Sequence, residues 1–352
     1  MILNVFKVFG LSIFSFFVGM IIAPILARYL YKYKMWRKEA RRFAPDGYPT
    51  PIFSELHKDR ETGVPRLGGL IVWLVPLAII FLISIAGLIF PSNFVLFKLN
   101  FLSRTQTWLP LFTLVSAALV GLADDLLQIF GKGRYIAGGM RYSRRLAMII
   151  LIAAIGAWWF YSKLGMDTVF VPFFGDLSLG ILYPIFFILV MLATFSGGVI
   201  DGLDGLAGGV FAAAFSAYAG IAFFQNQIDL ATFSGVIIGA LLAFLWYNIP
   251  PARFYMGESG IMGLTTVLTV LAFLTDSVLV LPIIALPLVL ASASSSIQLL
   301  SKKFFGRKIF KVAPFHHYLE ALGWPAHQVT MRFWVIAIVF SIIGMVVALM
   351  GR

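Results

Sequence analysis

The sequence contains no cysteine, which excludes a disulfide framework and any thiolate metal site. Only 12% of its residues are charged, about half the share found in ordinary soluble domains, so an all-round water-facing surface is excluded. Acids are scarcer than bases: 15 Asp and Glu stand against 27 Lys and Arg, for a formal net charge of +12. No repeat of fixed period and no low-complexity tract breaks the chain. No small-residue cleavage site follows the first apolar run, which therefore reads as a retained span and not a cleaved leader. No basic stripe interleaved with stacking aromatics stands clear of the apolar runs, so nucleic acid is not an expected partner.

What is present is apolar length. Of 352 residues 61% are hydrophobic, and the mean hydropathy is +0.95. Runs of about 20 apolar residues, the length of one bilayer crossing, recur throughout. A backbone in lipid must satisfy its own hydrogen bonds, so helices are expected, and the short alternating strands of a membrane β-barrel are not visible. The expected fold is an all-α integral membrane protein, a bundle of about ten transmembrane helices forming a single polytopic domain over 1–352. The spans fall at roughly 8–31, 69–90, 108–123, 145–162, 178–196, 206–224, 231–248, 260–275, 278–300 and 333–350.

Charge orients the bundle. If the loops 28–66, 124–145, 197–205, 250–259 and 301–332 share one side, the other side keeps only Lys7, Lys98, Arg104, Lys163 and Arg352 of the 27 basic residues. Basic residues beside span ends favour the cytoplasm, so the rich side is expected to be cytoplasmic and both termini extracytoplasmic. Attraction to anionic lipid accounts for much of the excess, including the run from Lys32 to Arg42. Of the acids, only Asp167, Asp176, Asp229 and Asp276 fall on the poor side, so carboxylate chemistry is concentrated on the other.

Five stretches there carry it. In Ser196–Gly209, Asp201 and Asp204 lie three residues apart beside Gly202 and Gly205, between the apolar runs Ile181–Phe195 and Leu206–Phe224. Acids at a span end need water, a metal or a polar partner, and these two repel unless a cation sits between them. Gly121–Asp125 places the adjacent carboxylates Asp124 and Asp125 at the end of the third span, where the helix dipole disfavours acids. One could be a base or ligand while the other organises a cation. Trp246–Gly260 holds Asn248, Pro250-Pro251, Tyr255, and Glu258 between Gly257 and Gly260; Glu258 reads equally as a metal ligand or a helix cap. Lys311–Glu320 holds His316 and His317, read as contacts to phosphate or hydroxyl groups. His57–Gly69 is a basic loop ending in Gly68-Gly69, and its value is positional. Oxygen donors without thiolates suit Mg²⁺, and carboxylates at 124, 125, 201, 204 and 258 match a Mg²⁺-dependent phosphoryl site.

The Asp-Asp pair, the Asp-Gly-Leu-Asp-Gly-Leu core, Tyr-Met-Gly-Glu-x-Gly and Ala-Pro-Phe-His-His occur in an order that resembles the polyprenyl-phosphate N-acetylhexosamine-1-phosphate transferase superfamily. The resemblance runs from His57 to Ile336 and is strongest to the muramoyl-pentapeptide branch. It implies ten spans with both termini outside, in a bacterial inner membrane, with the active site on the cytoplasmic face. The implied reaction moves phospho-MurNAc-pentapeptide from its UDP carrier to undecaprenyl phosphate, giving lipid I and UMP. The implied partners are a polyprenyl phosphate lipid, a UDP-sugar and a second copy of the chain.

By the same resemblance Asp124, Asp125 and Asp201 are catalytic. Gly202, Leu203, Asp204, Asn248, Tyr255, His316 and His317 contact substrate, and Glu258 with Asp201 holds Mg²⁺. Apart from the resemblance, Arg144 or Arg145 is expected to offset phosphate charge. The chain departs from the family pattern at Glu258 (usually Asp), Tyr318 (a third His), Gly198 (Asn) and Gln128 (Lys). Its Val64–Gly69 entry is nearer to relatives that transfer GlcNAc-1-phosphate, which leaves that donor as the alternative. A transporter would place acids near the bilayer midplane in paired repeats, and a weakened binding relative would keep the fold without the turnover.

Overall fold

The computed structural model describes residues 1–38, 62–103, 106–131 and 139–352. His57, Lys58, Asp59, Arg60 and Glu61 of the fifth stretch, and Arg104 among the basic residues, lie outside the described residues. Nine described helices are long and apolar enough to cross a membrane, and a bent pair makes a tenth crossing. They are α1 (Ile2–Lys32), α2 (Leu67–Ile89), α3 (Trp108–Ile129), α4 (Tyr142–Lys163), α5 (Gly180–Ile200), α6 (Leu206–Phe224), α7 (Ile228–Asn248), α8 (Gly257–Leu274), α9 (Leu286–Phe305) and α10 (Ala326–Met350). The chain is a multi-pass membrane protein.

The bundle is built around α8. Ninety-four per cent of its apolar window is buried inside the protein, as expected of a helix apolar on every side. Threonines within it and just after it carry their own solution to burial: the hydroxyls of Thr265, Thr266 and Thr275 donate to the carbonyls of Ile261, Met262 and Leu271, each at 2.8 Å. This local back-bonding gives each of these three hydroxyls a partner in an apolar setting. Against α8 lies α3, and α7 packs between α1 and α6. At the α1–α7 contact small residues bring backbones together. A side chain at Gly239 would stand 2.1 Å from the Ser12 carbonyl, and Ser15 Oγ donates to the Val236 carbonyl at 2.6 Å.

Three features depart from the sequence expectation. The third span runs to Ile129, not to 123, so Asp124 and Asp125 lie inside the helix with both carboxylates buried. The ninth span is broken, Val278–Ile284 meeting α9 at 83°. Pro287 near the start of α9 has no amide to continue the preceding helix. A strand pair also exists: β1 (Thr168–Val171) and β2 (Gly175–Ser178) form an antiparallel hairpin in which Thr168 faces Ser178. The Asp276 carboxylate, just beyond α8, accepts from the Phe170 amide at 3.1 Å and holds the hairpin to the end of the bundle away from Asp124.

Candidate active site

Asp125 shows how the site is held. A side chain at Gly121, one turn earlier, would stand 2.2 Å from the Glu258 carbonyl, so glycine lets α3 lie directly against the first turn of α8. Asp125 is thereby carried to the α8 N-terminus, where Oδ1 accepts from the Glu258 amide at 3.1 Å and Oδ2 from the Ser259 amide at 2.9 Å. A helix start leaves amides without partners and favours negative charge; here the acid comes from a neighbouring helix. Gly257 makes the approach possible. Its φ is +70°, and a Cβ there would stand 2.4 Å from the Arg66 carbonyl and 2.6 Å from Asp125 Oδ2.

Asp124 is equally buried, at 1% exposure. Its oxygens accept from the Met140 amide, from Gln128 Nε2 at 2.8 Å and from Arg145 Nη1 at 3.3 Å. The same Arg145 nitrogen lies 2.8 Å from Glu258 Oε1, so one guanidinium joins the two acids. A second cation, Arg66, places Nε 3.9 Å from Asp125 Oδ1. It arrives through Gly68 and Gly69, whose amides donate to the Tyr255 and Met256 carbonyls at 2.9 Å while the Tyr255 amide donates to Pro65.

The Asp201–Gly205 turn closes another wall. Asp201 Oδ2 accepts from the Gly257 amide at 3.2 Å, and Asp204 Oδ2 accepts from the Ala252 amide at 3.2 Å. Burial pushes the Asp201 carboxyl up to about 6, although the Arg66 charge and the Gly257 amide both pull it down. Asn248 fastens the turn: Oδ1 accepts from the Gly205 amide and Nδ2 donates to the Phe254 carbonyl, both at 2.9 Å. Gly202 abuts the histidines, since a Cβ there would stand 2.4 Å from His316 Nε2 and 2.6 Å from His317 Nε2. His317 Nδ1 pairs with Glu320 Oε2 at 2.7 Å, which fixes its ring. Beyond Asp204 a cavity of about 300 Å³ opens between Pro250, Pro325, Ala326 and His327.

Asp124, Asp125, Asp201, Gly202, Asp204, Glu258, His316 and His317 therefore meet at one end of the bundle, as do the side chain of Asn248 and the backbone of Tyr255. Leu203 is buried within the same turn. Arg144 does not join them: it is exposed, and the next residue, Arg145, takes the place beside the acids. Arg66 and Arg37 also reach the site, Arg66 behind the glycine pair whose close backbone approach the sequence suggests, and Gln128, the position where the family has lysine, lies beside Asp124. Among the described residues no three His, Asp or Glu side chains converge on one point. Gly198 is accommodated by packing, for a Cβ there would stand 2.5 Å from Ile261 Cγ2. Tyr318 stacks on Phe315 with ring centres 6.0 Å apart.

Sequence comparison completes the picture. The glycosyl transferase family 4 profile matches residues 107–276, a segment that contains both acid pairs and Glu258. The chain is 31% identical to the phospho-N-acetylmuramoyl-pentapeptide-transferase of Anoxybacillus flavithermus over 94% of each sequence. It is 31% identical to that of Latilactobacillus sakei over 95% of this chain and 96% of the relative. The Borrelia hermsii protein is also 31% identical, covering 95% and 93%. This chain belongs to the phospho-N-acetylmuramoyl-pentapeptide-transferase family. It is accordingly a phosphosugar transferase embedded in a membrane, and family membership spans α1 to α10 and not the profile segment alone.

Proposed function

We propose that the chain transfers phospho-MurNAc-pentapeptide from UDP-MurNAc-pentapeptide to undecaprenyl phosphate, releasing UMP and forming lipid I, at the cytoplasmic face of a bacterial inner membrane. The observation that carries this is the near full-length likeness to transferases of that name, with the acids and arginines gathered at one end of the bundle. The family likeness also points to a homodimer. An oxygen of the lipid phosphate attacks the sugar-bearing phosphorus. The new P–O bond forms as the bond from that phosphorus to the bridging oxygen breaks, and UMP leaves with the bridging oxygen.

A phosphate monoester is largely ionised at neutral pH, its second pKa being about 6, so the protein has more to orient than to deprotonate. Arg145, gripped by Asp124 and Glu258, offers the lipid phosphate or the diphosphate a fixed positive charge. Asp125, with both oxygens on α8 amides, keeps the Glu258 backbone in place. Asp201 and Glu258, both less buried than Asp124 and Asp125, would hold Mg²⁺, which when bound neutralises charge on the diphosphate. The Gly202–Asp204 turn, Tyr255 and the His316–His317 pair would line the nucleotide and sugar. A second donor, UDP-GlcNAc, is suggested by the Val64–Gly69 entry that brings Arg66 into the site.

The test is release of UMP by the purified protein given UDP-MurNAc-pentapeptide, undecaprenyl phosphate and Mg²⁺. UMP formed only when all three are present supports the reading. No UMP from folded protein removes it and leaves a binding relative.

A further inference from the structure

Arg37 lies just beyond α1, with 3% exposure. Its Nε donates to Gln128 Oε1 at 2.8 Å, and its Nη2 donates to the same oxygen. On the far side of that amide, Gln128 Nε2 donates to Asp124 Oδ2 at 2.8 Å, the oxygen that also takes Arg145. We propose that Arg37 is a positioning residue for phosphosugar transfer, orienting Asp124 through the side-chain amide of Gln128. The proposal rests on the transfer reaction given above and adds to it a residue that touches neither substrate.

The physical reason is the asymmetry of the amide. Its oxygen only accepts and its nitrogen only donates, whereas a guanidinium only donates and a carboxylate only accepts. With Arg37 on one side, Oε1 must turn towards it and Nε2 must therefore face Asp124. Without Arg37 the amide is free to rotate by half a turn and set an acceptor against an acceptor. A charge-assisted chain of this kind polarises along its length, so Asp124 receives part of the effect of a distant positive charge.

The surroundings hold the chain in one arrangement. Gly139 has φ +102°, and a Cβ there would stand 2.8 Å from Gln128 Cγ and 3.0 Å from Asp124 Oδ1, so backbone closes over both side chains. Two residues before Arg37, the Met35 carbonyl accepts from the Arg66 amide at 3.1 Å. The segment from Met35 to Arg37 thus reaches Asp124 by one arm and the Arg66–Asp125 pair by the other.

Position 128 follows Asp124 by one helical turn, so a lysine there would reach the carboxylate directly. This gives a rescue test on the full-length protein in lipid nanodiscs, reading UMP release. Wild type should turn over. R37M should lose kcat by about tenfold to a hundredfold, as a reacting group displaced by ~1 Å does, with the donor KM within about twofold of wild type. Q128K placed in the R37M background should restore most of the lost kcat. Q128L, which cuts the chain while leaving Arg37, should match R37M, and the R37M/Q128L pair should be no worse than either alone. Wild-type kcat in R37M, or failure of Q128K to rescue, overturns the proposal. If R37M does not fold, wild-type kcat in Q128L overturns it. A folded but inactive wild type overturns the transfer reading itself, and this inference with it.

Discussion

Arg145 Nη1 lies 2.8 Å from Glu258 Oε1 and 3.3 Å from Asp124 Oδ2, so a single guanidinium ties the start of α8 to the end of α3. The two acids are far apart in sequence, and α4 supplies the charge that lets them sit together. Removing it leaves two carboxylates facing each other with Asp124 buried. R145Q should lower stability by about 1–3 kcal/mol, the range for a lost charged hydrogen bond, and reduce turnover by at least about a hundredfold. Adding E258Q should recover much of the stability but none of the turnover. Thermal melts and UMP release on the single and double variants check both halves, and recovery of turnover would contradict the role given to Arg145.

Asp125 caps a helix to which it does not belong. D125N keeps one acceptor oxygen for two amides and should leave the protein folded, with a stability loss of about 1–2 kcal/mol, the cost of losing a helix cap. G257A disturbs the same junction from the other side, since its φ of +70° and its nearest neighbours leave no room for a Cβ. It should be the more damaging of the two in a melt. A G257A protein as stable as wild type would show that the α3–α8 junction is looser than described.

Gly202 separates nucleotide-side chemistry from scaffolding. A methyl group there would meet the Nε2 atoms of His316 and His317, which must move if the turn does not. G202A should raise the donor KM about tenfold or more, and because His316 and His317 are both buried it should lower the melting temperature as well, while the protein stays folded. An unchanged KM would take the His pair out of donor contact.

Asp201 gives a pH signature. Its carboxyl is raised by burial from 3.8 to about 6, so the folded state binds its proton more tightly than the unfolded state does. The charged form is then a cost that appears as pH rises from about 4 to about 6 and stays constant above. In Mg²⁺-free protein, D201N should be more stable than wild type at pH 7, by at most ~3 kcal/mol. The two should converge near pH 4. A gap that widens on acidification would show Asp201 to be held by its arginine more than it is penalised by burial.

Much of this was legible in the sequence. The length and composition of the apolar runs gave a multi-pass helical bundle, because lipid leaves few other ways to satisfy a backbone. The acids that interrupt those runs were conspicuous for the same reason. The cations were not. Arg144 and Arg145 differ by one residue but by about 100° around a helix, and only packing decides which one faces Asp124. Arg37 and Gln128, like Arg145 and Glu258, are brought together by the fold across long stretches of chain that carry no local periodicity to reveal them. The hairpin was hidden because strands of four residues are too short to show alternation. The bend before α9 was hidden because hydropathy is summed without regard to direction, although Pro282 and Pro287 marked it.

The central claim is the identity of the phosphosugar moved. The most direct measurement compares UMP release from UDP-MurNAc-pentapeptide and from UDP-GlcNAc, each at equal concentration with undecaprenyl phosphate and Mg²⁺, by the same purified protein. The muramoyl-pentapeptide donor should be used at least about a hundredfold more efficiently in kcat/KM, and its lipid product should carry the pentapeptide. Preference for UDP-GlcNAc would contradict the account and assign the Arg66 entry to the selection of the smaller sugar.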